Sequence, residues 1–232
     1  NCTKYKKKFD NLHVLYPQRK INFSTCTSTP RSDYCNETSS SLRNYYIKTA
    51  YNCCNADGFK NNWVHLCAME YALKLGVRCL DFEIYSINNE PVIASSTSNN
   101  ITFKETFNYL TLAEVLKALL QGFPNDESYH AFSSNNNDPL ILHFRIKTQQ
   151  RLALKNMGLL LQQVFSVSDP TSLFQDHSLK RTRLRGSRSG YDGIDKKIIK
   201  NIQKKILKMV YTRSNPTIKY IQELHNYVNL YT

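Results

Sequence analysis

The heptapeptide LILHFRI, residues Leu140–Ile146, decides the fold class of this chain. Five of its seven residues are apolar, and only His143 and Arg145 interrupt the run. Such a segment is too apolar for the edge of a sheet and is typical of central parallel strands, which are buried on both faces. It therefore predicts a parallel sheet that other elements cover on each side.

Helical patterns lie on either side of this strand. Upstream, Thr111 and Glu114 form the Thr-x-x-Glu signature of a helix start, and Gly122 is placed to end that helix. The predicted strands are 45–50, 77–85, 91–94 and 206–210 beside LILHFRI, and the predicted helices are 63–75, 111–122, 148–165 and 221–230. Strands that alternate with helices in this way predict an α/β fold with parallel strands.

Residues 1–43 differ in composition from the rest of the chain. They are rich in Ser, Thr, Asn, Lys and Pro without a sustained period, which predicts an irregular polar arm. Residues 44–232 are predicted to form one domain, because 232 residues that are 41% hydrophobic suffice for one sizeable core. Nowhere do about 18 apolar residues follow one another, so no membrane-spanning segment is predicted within the chain.

Positive charge is concentrated near the C-terminal end. The chain has a formal net charge of +13, and residues 179–213 hold 12 Lys or Arg against two Asp. The densest part of this basic segment supplies the predicted anion-binding residues Lys180, Arg181, Arg183, Arg185 and Arg188. It lacks interleaved aromatic residues, so nucleic acid is a less favoured partner than an anionic membrane surface or acidic protein neighbours. A flexible solvated loop is the alternative.

Cysteines and glycosylation sequons leave the compartment open. Cys67 and Cys79 lie in apolar elements and are expected to be buried free thiols, whereas the arm cysteines could form disulfides in an oxidising compartment. Sequons at Asn1, Asn22, Asn36 and Asn100 suit a secreted protein. Because 23 of the 232 residues are Asn, however, sequons are also expected by chance.

Four segments, taken in order, resemble the X region of phosphoinositide-specific phospholipases C. They are Ala50-Tyr51-Asn52-Cys53-Cys54, Arg78-Cys79-Leu80-Asp81-Phe82-Glu83, Glu90-Pro91 followed by Ser95, and Pro139-Leu140-Ile141-Leu142-His143-Phe144-Arg145. No single segment is specific, but their order and approximate spacing also agree with the family. Three overlapping stretches are similar, more narrowly, to the divergent phospholipase-like proteins of large DNA viruses. They are Ile47–Cys54, Leu80–Tyr85 and His143–Lys147.

The resemblance implies a distorted or incomplete TIM-like barrel with its ligand site at the C-terminal ends of the strands. It also implies that the two catalytic histidine positions of the family are Tyr51 and Ser95 in this chain. Tyrosine, with an ordinary pKa near 10, is a poor base at neutral pH, and serine cannot act as the acid. The fourth calcium-ligand position of the family is Arg145, whose charge repels Ca²⁺, so no metal and no cofactor are expected.

Strand alternation places the remaining polar residues together. Asp81 and Glu83 share one face of a predicted strand, and His143 and Arg145 share one face of another. With Asn52 they are predicted to form a degenerate pocket, in which Arg145 occupies the cation position between the carboxylates. One interpretation is a buried salt-bridge network. The other is a metal-free phosphodiesterase with His143 as the base.

These patterns favour a phospholipase C-like pseudoenzyme that acts as a structural or lipid-binding component. The viral resemblance suggests a minor capsid protein or one associated with the inner membrane of a virion, with other virion proteins as partners. The enzymatic alternative is a metal-independent phosphoinositide phosphodiesterase that uses His143 and Arg145. A third alternative, suggested by the sequons and the arm cysteines, is a secreted or membrane-tethered protein.

Overall fold

A computed structural model describes residues 2–15, 47–55, 57–98, 102–132, 138–165, 206–211 and 230–231. Its helices are α1 (Cys2–Leu15), α2 (Leu66–Lys74), α3 (Leu112–Gln121) and α4 (Arg151–Phe165). Its strands are β1 (Thr49–Ala50), β2 (Cys79–Ile87), β3 (Glu90–Ala94), β4 (Leu110–Thr111), β5 (Leu140–Ile146), β6 (Ile206–Tyr211) and β7 (Leu230–Tyr231). None of the helices in these ranges is long and apolar enough to cross a membrane.

The strands form one mixed sheet that curls into a half-barrel. Its order is β4-β3-β2-β5-β6-β7, and β1 pairs with β2 outside this path. The pairs β1–β2, β2–β5, β5–β6 and β6–β7 are parallel, whereas β3 is antiparallel to both β2 and β4. The α/β class and the central position of LILHFRI are thus confirmed. Within the described residues the sheet is an open half-barrel rather than a closed TIM barrel.

The two faces of the central strands carry different residues. Leu80, Phe82 and Ile84 alternate along β2 and belong to the main apolar core together with Leu142 and Phe144 of β5. Phe82 and Phe144 stack with ring centroids 5.7 Å apart. Because side chains alternate along a strand, the acidic residues of β2 point to the opposite face.

The start of α3 forms as its sequence predicts. The Thr111 hydroxyl accepts a hydrogen bond from the Glu114 backbone N–H at 3.2 Å, and the Glu114 carboxylate accepts one from the Thr111 N–H at 2.8 Å. Gly122 follows the helix with a φ of 128°, and a Cβ there would lie 2.1 Å from the Glu127 carbonyl oxygen. Only glycine fits this exit, because both the backbone angle and the close approach exclude a side chain.

Two predicted helix starts lie too early in the sequence. Residues 63–65 are not helical because Val64 forms a bridge with Asn55, and its backbone N–H and C=O both bond the Asn108 side chain. α4 begins at Arg151 rather than at residue 148.

The predicted strand 206–210 is present as β6, whereas Leu230 lies in β7 rather than in the predicted terminal helix. Residues 221–229 lie outside the described part of the chain.

The first part of the predicted irregular arm is helical. α1 is lysine-rich and weakly amphipathic, so its own sequence gives little helix signal. It packs on α2, where Phe9 and Tyr71 stack with ring centroids 4.9 Å apart, and Lys8 forms an ion pair with Asp57. Tertiary packing of this kind stabilises helices that would not persist alone. Residues 16–46 lie outside the described part.

Four cysteines in the described part of the chain have an assigned redox state. Cys67 on α2 is buried as expected, but it is disulfide-bonded, so the prediction of a free thiol there is wrong. Cys53, Cys54 and Cys79 are free, which confirms the expected state of Cys79, although its burial is only intermediate. The spacing of apolar residues could not predict this disulfide, because Cys67 occupies the same apolar helix face whether it is bonded or free.

Candidate functional site

The register of two parallel strands assembles the site. β2 and β5 pair so that Asp81 lies beside His143 and Glu83 lies beside Arg145. Asn52 follows β1, which flanks β2 on its other side, and its backbone N–H donates to the Asp81 carboxylate at 3.3 Å. The structure therefore brings together all five residues of the predicted pocket.

The Arg145 guanidinium lies at the centre of this cluster. Its Nε donates to both oxygens of Asp81 at 2.9 and 3.0 Å, and its Nη1 donates to Glu83 Oε1 at 2.7 Å. Its Nη2 donates to Asp81 Oδ2 at 2.8 Å and to Asn52 Oδ1 at 2.7 Å. Arg145 and both carboxylates are buried. One cation thus bridges two carboxylates and an amide, in an arrangement that charge-assisted hydrogen bonds make strong and specific.

The pKa directions show that the carboxylate and the guanidinium hold each other ionised. Burial raises the pKa of the Asp81 carboxyl, but hydrogen bonds from His143 and Arg145 outweigh burial, and the net pKa lies below its ordinary value. Burial lowers the pKa of Arg145. The hydrogen bond and charge of Asp81, together with the charge of Glu83, raise it by more, so the net pKa of Arg145 is raised. Asp81 and Arg145 are therefore both charged and form an ion pair at neutral pH.

His143 is the most accessible member of the cluster. Its Nδ1 lies 2.9 Å from Asp81 Oδ1, and about a quarter of its side chain is exposed. Because an ionised carboxylate only accepts hydrogen bonds, this contact requires the proton on Nδ1 and leaves Nε2 as the acceptor of a neutral ring. Such a pair has the geometry of an oriented general base.

The positions that the resemblance assigns to the family histidines serve other contacts. Tyr51 is half-exposed, and its ring lies 4.1 Å from the guanidinium carbon of Arg145, so it covers the cation. Burial raises the pKa of the Tyr51 hydroxyl, which keeps it protonated at neutral pH. Ser95 is buried, accepts from the Asn55 side chain at 2.6 Å and donates to the Phe59 carbonyl at 3.1 Å. The Ser95 hydroxyl thus anchors a loop.

Sequence reasoning missed a second half of the network. Lys147 Nζ lies 3.5 Å from Glu83 Oε1 and donates to the Ser98 carbonyl at 2.8 Å. The Tyr85 hydroxyl and the Ser96 backbone N–H donate to Glu83 Oε2 at 2.7 and 2.9 Å. Residues two apart on a strand share a face, so the pattern that places His143 and Arg145 together also predicts Lys147 on that face. By the same spacing, Tyr85 is predicted on the face of Glu83.

Asn52 has an unusual conformation and an unmet donor. Its φ is 46°, a left-handed angle that asparagine tolerates better than most residues. Its Oδ1 is identified by the Arg145 donor, so the remaining amide nitrogen is Nδ2, which is buried without a hydrogen-bond partner. An unmet buried donor is costly, and an oxygen atom of a small ligand or of water would satisfy it.

The oxygens that would be available to a calcium ion are directed at the Arg145 guanidinium. Ca²⁺ requires six to eight oxygen ligands, and here Asp81, Glu83 and Asn52 already direct oxygens at a guanidinium. Among the described residues no group of three or more His, Cys, Asp and Glu side chains is placed to hold a metal ion. The Arg145 guanidinium and a metal ion would compete for the same oxygens.

The predicted anion-binding residues lie outside the described part of the chain. They are Lys180, Arg181, Arg183, Arg185 and Arg188.

The fold is similar to that of solved phospholipases C. The crystal structure of PLC21 from S. officinalis covers 74% of this chain with a TM-score of 0.50 and 18% sequence identity. That of PLC21 from L. pealei covers the same share with the same TM-score and 19% identity. The match covers 19% of each of those chains. At such identity the likeness shows a phospholipase C-like fold alone. No known protein family and no curated protein matches the sequence.

Proposed function

We propose that this chain is a catalytically inactive phospholipase C-like protein that acts as a structural or binding component. The observation that supports this proposal is the Arg145 guanidinium, which is buried between Asp81, Glu83 and Asn52. Its hydrogen bonds are directed at protein oxygens, so those donors are not available to stabilise a developing phosphate charge without breaking the network.

The two positions expected to hold catalytic histidines support the same proposal. Tyr51 stays protonated at neutral pH, and Ser95 is buried and directed at Asn55 and Phe59. General acid and base groups each contribute about 10²- to 10⁴-fold in rate, and electrostatic stabilisation by a metal contributes a comparable factor. Loss of all three leaves a rate that is too low to observe.

An assay of soluble inositol phosphate release tests this proposal. The purified protein is incubated with phosphatidylinositol and its phosphorylated forms, with Ca²⁺ and without it. We expect no release above a heated control and no change on His143→Ala. Release that is abolished by His143→Ala or Arg145→Ala, in protein whose circular dichroism is unchanged, contradicts the inactive assignment.

The second candidate is a metal-independent phosphodiesterase, and the His143 geometry favours it. The 2.9 Å contact to Asp81 orients the ring, and its exposed part faces solvent. In this reaction Nε2 would take the proton of the attacking hydroxyl as its oxygen bonds to phosphorus, and Arg145 would stabilise the phosphate charge. The protonated ring would return that proton to the leaving alcohol as the second P–O bond breaks. This reaction requires that Arg145 exchange a carboxylate for the substrate, and the assay above separates it from the first candidate.

The partners and the location that we propose rest on the sequence. The resemblance to viral proteins supports a virion position beside the inner membrane or the capsid, and the basic segment suits anionic lipid or acidic virion proteins. Binding to vesicles that contain phosphatidylserine should weaken steeply with salt, and also on changing Arg181, Arg183, Arg185 and Arg188 to Ser. Binding that is unchanged by both treatments contradicts this role of the segment.

The alternative is that the protein is secreted or tethered to a membrane. The disulfide at Cys67 favours it, because disulfides persist in oxidising compartments. Mass analysis of native protein, digested without reduction, distinguishes the two. A bridged Cys67 peptide together with glycans on the sequons supports secretion, and reduced, unglycosylated protein supports the virion interior.

A further inference from the structure

Lysines cover the exposed side of helix α1. The stretch Lys4–Lys8, which reads KYKKK, supplies four lysines, and Asp10 is the one carboxylate of the helix, so its net charge is four minus one, or +3. Lys6, Lys7 and Lys8 are all exposed. Short lysine-rich runs of this kind form binding patches for polyanions. We term the four lysines of this stretch the lysine cluster.

The packing of α1 on α2 directs the lysine cluster outward. Phe9 stacks on Tyr71 of α2 with ring centroids 4.9 Å apart. Lys7 precedes Phe9 by two residues, which is about 200° around a helix, so Lys7 lies on the side opposite to α2. Lys8 is held in addition by its ion pair with Asp57. The cluster is therefore presented to solvent by a helix that is fixed on the rest of the fold.

The stability of the helix does not account for this charge. The N-terminus is the positive end of a helix dipole and disfavours cations, and the first turn of α1 contains no acidic residue. Lys4 and Lys8 are four residues apart, a spacing at which like charges repel. Asp10, four residues after Lys6, offsets only part of this repulsion. An external anion would relieve both unfavourable effects, which indicates that the cluster binds a ligand.

The disulfide in the neighbouring helix narrows the kind of polyanion. Cys67 lies in α2, on which α1 packs, and disulfides persist in oxidising compartments such as the cell exterior. Nucleic acids are held inside cells, and anionic lipid headgroups are concentrated in the cytoplasmic leaflet. Single-stranded nucleic acid also needs aromatic rings for its bases, whereas Phe9 is stacked on Tyr71. Sulfated polysaccharides are the polyanions that an oxidised protein meets outside the cell.

We propose that the lysine cluster of α1 binds a sulfated polysaccharide. Lysine ammonium groups would lie against successive sulfates and release condensed counterions, so binding weakens as salt is added. The inference goes beyond the proposed function and concerns a surface outside the charged pocket of β2 and β5. The two are tested separately, because polysaccharide binding and inositol phosphate release are different measurements.

Paired variants separate the lysine cluster from the basic segment 179–213, which attracts any polyanion. Lys6→Gln with Lys7→Gln removes two charges from α1 and keeps long side chains of similar helix propensity. The matched control, Lys117→Gln with Lys155→Gln, removes two charges from exposed lysines of α3 and α4. Binding of the full chain to immobilised heparin, a sulfated polysaccharide, is measured over a range of NaCl concentrations.

The two variants should differ in affinity and in salt dependence. At physiological salt the α1 variant should bind heparin about tenfold more weakly than the original chain, and the control about twofold more weakly at most. The slope of log Kd against log salt should fall by about two for the α1 variant, roughly one for each lysine removed. On heparin stripped of its sulfates, the original chain and the α1 variant should bind alike.

Folding is measured alongside binding. Both variants should retain the circular dichroism of the original chain, and the urea midpoint of the α1 variant should not fall, because its two charges do not stabilise the helix. A lower midpoint would assign these lysines to the fold and overturn the proposal. Equal weakening by the two variants overturns it too. So does a loss of affinity for duplex DNA or phosphatidylserine vesicles that exceeds the loss for heparin.

Discussion

The two faces of β2 and β5 are buried alike but are built on different principles. On one face Phe82 and Phe144 are almost fully buried and stack on each other, and on the other Glu83 and Arg145 are buried as an ion pair. An apolar face tolerates other residues of similar volume, because area and packing are what stabilise it. A buried ion pair is destabilised strongly when one partner is removed, because the remaining charge is left buried without compensation. The charged face is therefore where mutations are most informative.

The largest expected effect comes from removing the central cation. Arg145→Met should destabilise the protein by about 3–5 kcal/mol at pH 7, because it leaves Asp81 and Glu83 buried without their partner. Phe144→Ala, the neighbouring change on the apolar face, should cost about 3–5 kcal/mol through lost burial and a cavity. Urea unfolding measures both. A loss below about 1 kcal/mol for Arg145→Met would show that the ion pair contributes little.

The pH dependence then separates the two faces. The folded-state pKa of Asp81 is lowered, so its contribution to stability is complete above the unfolded pKa and is lost as pH falls through the folded pKa. In Arg145→Met the hydrogen bonds and charge of Arg145 no longer lower the Asp81 pKa, and only the His143 contact opposes the upward effect of burial. The Asp81 pKa therefore rises relative to the original chain, and protonation relieves part of the variant's deficit. Its deficit relative to the original chain should shrink from pH 7 to about pH 4.5. The deficit of Phe144→Ala should stay constant. Parallel curves for both variants would contradict the account.

A charge reversal sharpens the comparison further. Arg145→Glu places a third carboxylate beside Asp81 and Glu83 and removes the internal cation, which rebuilds an oxygen-rich site of the kind Ca²⁺ prefers. Calorimetric titration should show negligible Ca²⁺ binding to the original chain and measurable binding to this variant. We expect no gain in hydrolysis, because Tyr51 and Ser95 still occupy the positions that the resemblance assigns to the family histidines. Sub-millimolar Ca²⁺ affinity of the original chain at this site would contradict the assignment of the cation position.

The sequence predicted the charged face as a set because strand period and parallel pairing leave few choices. Alternation along LILHFRI and along β2 places His143, Arg145, Asp81 and Glu83 on facing positions. What it could not predict depends on distant partners. Val64 is removed from its helix by Asn108, 44 residues away, and α1 is stabilised by packing on α2. The left-handed backbone of Asn52 likewise has no signal in its neighbours.

The smallest effect tests how far the charged face extends towards solvent. Tyr51 contacts Arg145 through its ring at 4.1 Å while half of its surface is exposed, so the cation–π contact should contribute about 0.5–1 kcal/mol. Tyr51→Ala should lose that amount in urea unfolding. Tyr51→Phe, the matched control, keeps the ring and should lose less than half of it. The difference between the Phe and Ala variants also shows how Tyr51 acts, because a phenol that acted through its hydroxyl would lose as much stability with Phe as with Ala.

In the Arg145→Met background the ring has no cation beneath it. Tyr51→Ala should then cost nothing beyond its small apolar area, and an undiminished loss in that background would assign Tyr51 to the packing of the Phe59 loop instead.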